Sequence, residues 1–357
     1  MAVAVEPDRA KQEAFAGRMV QVLNDACLGL MTGVGHESGL FDVMADLEPA
    51  ATTAAGVAEA AGLDERYVRE WLGAMVTGGV VEYDPERETY LLPPEHAASL
   101  TRAAGPDNLA RIAQDLGMLA EVEQQVVEAF QTGAGVPYSA YPRFQALQAE
   151  ESREVYDLAL VDGIVPLVPG LPDRLRTGID AVDIGCGQGH AANVLAAAFP
   201  ASRFHGLDRS EEGIAAARAE AAGRGLTNVE FQVGDSAELT GSYDLVTAFD
   251  VVHDLARPTR TLAAIAAALR PDGVFLMGDI AASSRLEENI GHPLCPALYA
   301  FSVFYCMSVS LSEGGEGLGT VWGEQTARRM LAEAGFGRVD ARRVEGDILN
   351  VYYVARR

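Results

Sequence analysis

The chain has 357 residues, 49% of them hydrophobic, enough for a sizeable core in one large domain or two smaller ones. Its 51 acidic side chains outnumber 27 basic ones, and the formal net charge of −24 argues against duplex DNA or an anionic membrane as partner, since both require a basic surface. No apolar run approaches the ~18–20 residues that span a bilayer, and the N-terminus lacks the basic-then-apolar order of a secretory signal.

The four cysteines, Cys27, Cys186, Cys295 and Cys306, lack metal-finger spacing, so free thiols in a reducing cytoplasm are expected. Residues 1–12 read as a polar tail. From Gln12 to Met44 apolar positions recur at helical spacing, with a break expected near Gly33-Val-Gly-His36. Thr52 or Thr53 caps a helix through Val57 to Ala61, which Gly62 ends. Asp64 caps a second, Glu65 to Thr77, stopped by Gly78-Gly79. Val80 to Tyr83 and Thr89 to Leu92 flank a polar turn and read as a hairpin. Helix, helix, hairpin is a winged-helix arrangement. Arg66 and Arg69 on its second helix stand among Asp64, Glu65 and Glu70, and the wing carries Asp84, Glu86 and Glu88. Such a surface repels phosphates, so dimerisation and substrate gating are expected of this module rather than DNA reading.

Residues 101–165 read as linking helices, with one amphipathic stretch from Asp107 to Phe130. The loop Gly133 to Phe144 offers Tyr138 and Tyr141 to a cofactor or substrate, and Arg143 to a carboxylate; the alternative is a linker whose tyrosines simply pack. A helix from Glu151 to Leu167 covers the sheet that follows.

That sheet opens with Ala181-Val-Asp-Ile-Gly-Cys-Gly-Gln-Gly-His190, a strand turning through Gly185, Gly187 and Gly189 into a helix. Such a turn brings bare backbone N–H groups to a ligand. Asp208 ends the next apolar run, roughly the ~20-residue offset at which a carboxylate meets a ribose in doubly wound nucleotide-binding folds. A third strand ends at Asp235-Ser236, a fourth runs from Tyr243 to Phe249, and a fifth, Val274 to Met277, follows a Pro-Gly turn. At the carboxyl end of the fourth strand stand His253 and Asp254. A histidine there can take a proton near neutrality, and Asp254 orients it or caps the next helix.

The glycine spacing resembles the first motif of class I S-adenosylmethionine (SAM) dependent methyltransferases. That resemblance implies an α/β, doubly wound Rossmann-like sheet and SAM as cofactor. Gly185, Gly187 and Gly189 would lie at its amino-acid part, Asp208 at its ribose, and Asp235 and Ser236 at its adenine, with Asp183, Arg209 and Phe249 as further cofactor contacts. With Tyr67 to Leu72, Gly135 to Tyr141 and Cys306 to Leu311 added, the chain resembles an actinobacterial small-molecule branch of that class. The implied organisation is a winged-helix domain over 1–100, which relatives use for dimerisation, linking helices over 101–165, and a methyltransferase domain over 166–357 with a lid at 281–322. In winged-helix O-methyltransferases the histidine matching His253 is the general base, acting on a small-molecule acceptor. Some relatives methylate carbon in 2-oxo acids and hold a metal between two histidines; here the second falls on Tyr305, so no metal is expected. A SAM-binding DNA regulator and an idle SAM binder are the competing classes.

Overall fold

A computed structural model describes residues 7–48 and 50–357; residues 1–6 of the expected tail lie outside the described residues. The chain divides into two compact units, Met1–Ala120 and Glu121–Arg357, and the division falls inside the expected linking segment.

In the first unit, α1 (Arg9–Glu37) begins inside the expected tail rather than at Gln12, because the Asp8 carboxylate accepts from the Ala10 and Lys11 amides. It does not break at Gly33 and Gly35. A Cβ on Gly35 would lie 2.6 Å from the Trp71 ring, and one on Gly33 2.9 Å from the Ala113 carbonyl, so these glycines allow close packing rather than a turn. The helix ends at Ser38, and α2 (Leu40–Asp46) follows. Thr53 caps α3 (Ala54–Ala61), which Gly62 ends in the left-handed conformation, and Asp64 caps α4 (Glu65–Thr77), as expected. The hairpin pairs β1 (Glu82–Asp84) with β2 (Thr89–Leu91). Phe41, Val57, Leu72, Met75 and Leu92 are fully buried between these elements, each contributing about 1.5–3 kcal/mol. Arg66 and Arg69 are both taken by glutamates one turn away, Glu70 and Glu65.

The second unit is a seven-stranded sheet. Its strands are β3 (Asp180–Ile184), β4 (Arg203–Asp208), β5 (Val229–Val233), β6 (Tyr243–Phe249), β7 (Leu269–Ile280), β8 (Arg338–Arg342) and β9 (Asn350–Arg356). Their spatial order is β5-β4-β3-β6-β7-β9-β8, parallel from β5 to β7, with β9 antiparallel to both β7 and β8. Side chains alternate between the two faces, as the pleat requires. Val182, Val246, Phe275 and Tyr353 pack under Leu262, Trp322 and Leu331; Ala181, Leu245, Leu276 and Val354 pack under Leu160, Leu171 and Leu195. β7 begins at Leu269, earlier than Val274. Residues 270–273 form an irregularity across which the pairing steps from Tyr243–Leu269 to Leu245–Val274, and Arg270 is fixed there by ion pairs to Asp180 and Asp244.

Two helices widen into π-helical turns. The helix Phe144–Val155 continues through Tyr156–Ile164, and Cys295–Phe301 through Ser302–Cys306 into Met307–Ser312. The second run spans 18 residues with mean hydropathy 1.4, long and apolar enough to cross a membrane by length and composition, which corrects the expectation that no run approaches that length. Its Cys295, Leu298, Tyr305, Cys306 and Val309 are buried within the unit.

Candidate active site

After β3 the chain winds to β4 and β5 on one side and returns to β6 on the other, so the strand order reverses at β3. Ligands of open α/β sheets bind in the crevice at the carboxyl ends beside such a reversal. A cavity of about 760 Å³ opens there.

Gly185, Gly187 and Gly189 all have positive φ. A Cβ on Gly189 would come within 2.5 Å of Ala217 and Phe231, so that residue must be glycine for the helix His190–Ala198 to seat. A Cβ on Gly187 would instead project towards open cavity, its nearest neighbour the Gln145 Oε1 at 3.7 Å. Bare backbone therefore faces the space where the helix N-terminus also points. Asp208 anchors the loop: its Oδ2 accepts from the Gly187 amide at 2.8 Å and its Oδ1 from Ser210 at 2.8 Å. Each oxygen keeps a second lone pair for a sugar hydroxyl. Asp183 is buried and accepts from the Thr247 hydroxyl at 2.7 Å; burial, and then the Asp208 charge, push its carboxyl up to about 7.

The Asp235 carboxylate caps the turn at Ala237 and pairs with Arg257. The Ser236 hydroxyl turns to Thr261, 3.2 Å away, although the residue lies on the cavity wall. Arg209 is on the wall, ion-paired to Glu313 and set over the Tyr138 ring at 5.4 Å. Phe249 lines the cavity with its ring 5.6 Å from that of Tyr156. Tyr138 and Tyr305 also line it; Tyr138 accepts from Gln145 Nε2 at 2.6 Å, and Tyr305 stacks on Phe144 at 3.9 Å. Tyr141 and Arg143 do not reach the wall. Tyr141 is buried and donates to the Phe304 carbonyl, so it holds the aromatic loop in place.

His253 sits in the tight turn Val252–Asp254 and is 3% exposed. Its Nδ1 donates to Asp279 Oδ1 at 2.8 Å, the same oxygen that accepts from Trp322 Nε1 at 3.0 Å and from the Ile280 amide at 2.8 Å. Its Nε2 lies 3.2 Å from Asp254 Oδ1 without hydrogen-bond alignment, and Asp250 stands 3.8 Å from Nδ1. Burial lowers the His253 pKa, but Asp279 and Asp254 more than offset that and raise it well above its ordinary value. Of the pair expected to face the acceptor, Asp254 is on the wall and His253 is enclosed behind it.

Asp250, Asp279 and Cys306 escaped the sequence reading. The signal for Asp279 was present: a carboxylate inside the apolar run Val274 to Ile280 must have buried partners. His253, Asp254 and Cys306 bring one nitrogen, one oxygen and one sulfur within 4.8 Å of one another, a donor set that did not depend on Tyr305.

Residues 175–335 match a family model described as a methyltransferase domain, and residues 26–102 match an Rv2258c-like winged HTH domain. The two matches describe a methyltransferase domain preceded by a winged helix-turn-helix domain. Among individual proteins, the chain is 34% identical over 144 residues to nocamycin O-methyltransferase of Saccharothrix syringae, covering 38% of this chain and 51% of that one. The chain spans about half the length, or less, of the curated relatives it matches. The structure of mitomycin 7-O-methyltransferase superimposes with a TM-score of 0.71 at 21% identity, over 98% of this chain and 100% of that one. Human N-acetylserotonin methyltransferase, solved in complex with SAM, gives 0.70 at 18% identity over 99% of each.

Proposed function

We propose that the chain transfers the methyl group of SAM to a hydroxyl of a small-molecule acceptor. The observation that carries this reading is the glycine loop anchored by Asp208, open to a cavity whose far wall carries Asp254 against the His253–Asp279 pair. When bound, SAM supplies an electrophilic methyl on a sulfonium. The residues suit it: uncovered backbone at Gly187 for its amino-acid part, remaining lone pairs on Asp208 for its ribose, and the Asp235–Ser236 turn with Phe249 for its base. Displacement at a sulfonium asks chiefly for alignment, an effect that reaches ~7–11 kcal/mol. The chain's own part in the chemistry is the proton. Asp279 fixes Nδ1, so Nε2 is the exchanging atom; the carboxylates around the ring stabilise the imidazolium, so Nε2 must release its own proton before it takes that of the acceptor hydroxyl past Asp254.

The first unit supports a second role. Phe15, Met19, Leu23, Leu30 and Val34 form an exposed apolar stripe along α1, at the spacing of one helix face, which fits pairing with a second copy through the N-terminal domain. The arginines of α4 are held by neighbouring glutamates, which supports gating over DNA reading. Four unpaired thiols fit a reducing cytoplasm. Calorimetric titration with SAM and its demethylated form, S-adenosylhomocysteine, followed by incubation with labelled SAM and a metabolite extract, tests the main reading. Saturable binding and a labelled product are expected; absence of binding refutes it.

A further inference from the structure

The charge on the cavity wall is uneven, and it bears on what the acceptor is. Both guanidinium groups on the wall are committed, Arg257 to Asp235 and Arg209 to Glu313 and the Tyr138 face. Around His253 stand three carboxylates, Asp279 at 2.8 Å, Asp254 at 3.2 Å and Asp250 at 3.8 Å. One imidazole does not balance three. Asp254 Oδ1 and Asp279 Oδ2 are shut off from solvent without a hydrogen-bond partner, a costly state for a carboxylate oxygen.

Asp250 and Asp254 both line the cavity, and Asp250 is the more exposed of the two. Its backbone is left-handed, φ 59°, and is fixed by its amide donating to the Gly278 carbonyl at 2.9 Å. Its side chain is 45% exposed on a wall shared with Tyr156, Phe249 and Tyr352. A carboxylate so placed gains most from an incoming cation, and aromatic rings on the same wall favour an organic ammonium over a metal ion.

We propose that the acceptor is an aromatic molecule bearing a protonated amine, which Asp250 and the rings beside it hold, and that carboxylate-bearing acceptors are turned away. This rests on the cavity being the methyl-transfer site proposed above. A primary ammonium is also part of SAM, so the test fills the cofactor place first. Protein saturated with S-adenosylhomocysteine is titrated with tyramine, p-cresol and 4-hydroxyphenylacetate, three phenols that differ at one substituent and carry positive, no and negative charge. Tyramine is expected to bind best and 4-hydroxyphenylacetate worst, with at least about a tenfold gap at low salt that narrows as salt is added. Asp250→Asn, which tolerates the left-handed backbone, is expected to abolish the advantage of tyramine and leave p-cresol unchanged. Equal affinities, a preference for the carboxylate, no uptake of tyramine at millimolar concentration, or an unaltered order in Asp250→Asn overturns the proposal while leaving the methyltransferase reading intact. Failure of S-adenosylhomocysteine itself to bind overturns both.

Discussion

Asp183 makes the cavity and the stability of the second unit pull in opposite directions. Its carboxyl is buried on β3, with a single neutral donor, the Thr247 hydroxyl, and the Asp208 charge close by. In the unfolded chain it ionises near 3.8; in the folded one it holds its proton up to about 7. Between those values the folded state binds more protons than the unfolded one, so stability falls as pH rises, the reverse of a salt-bridged aspartate. The shift from 3.8 to about 7 corresponds to at most about 4 kcal/mol, present in full above pH 7 and absent below the unfolded value. Asp183→Asn keeps the shape and the acceptor for Thr247 but carries no charge. Urea unfolding of both proteins from roughly pH 4 to pH 8 should therefore show near-equal stability at the acid end and a variant more stable by a few kcal/mol at the alkaline end. SAM affinity should drop in the same variant. A gap that does not change with pH, or a variant less stable at pH 8, refutes the reasoning.

Asp208→Ala removes two charge-assisted bonds to the loop as well as the sugar contact proposed above, and SAM affinity should fall on the order of a hundredfold or more by calorimetry. His253→Ala should lower turnover by roughly a hundredfold to ten-thousandfold with cofactor affinity nearly intact, since the ring lies behind Asp254; unchanged turnover removes it from the mechanism. If α1 pairs two chains, replacing Phe15 and Leu23 by serine should shift sedimentation from dimer to monomer, and a wild-type monomer at micromolar concentration contradicts the pairing.

Local rules carried the reading furthest where a single side chain decides the backbone. Thr53 and Asp64 cap the helices expected of them, and Gly62 stops one, because capping is settled within four residues. The same logic misled at Gly33 and Gly35, where the deciding contacts are Ala113 and the Trp71 ring, far along the chain. β7 outran its expected start because Leu269 pairs with Tyr243 and Arg270 reaches Asp180 on β3 and Asp244 on β6, ties no window of sequence displays. In the site, the glycine turn and the offset to Asp208 were legible from spacing, and Asp183 entered only through the family resemblance. The enclosure of His253 was not: it depends on Asp279, Trp322 and Cys306, which come from β7 and from the segments beyond it. Tyr141 and Arg143 show the converse, since nothing in their spacing distinguishes a residue on the wall from one that anchors the loop behind it.

The π-helical turns at Tyr156–Ile164 and Ser302–Cys306 each contribute a tyrosine, Tyr156 and Tyr305, to the chamber. Such a turn accommodates residues that a regular helix would not, and it commonly sits at functional sites. Losing one codon from either stretch would restore ordinary winding and remove one side chain from the turn, while the flanking turns stay in phase, because the wide turn carries its extra residue through the same full rotation. Descendants of this chain thus have a short mutational route to a differently shaped acceptor space, one that leaves the glycine loop untouched.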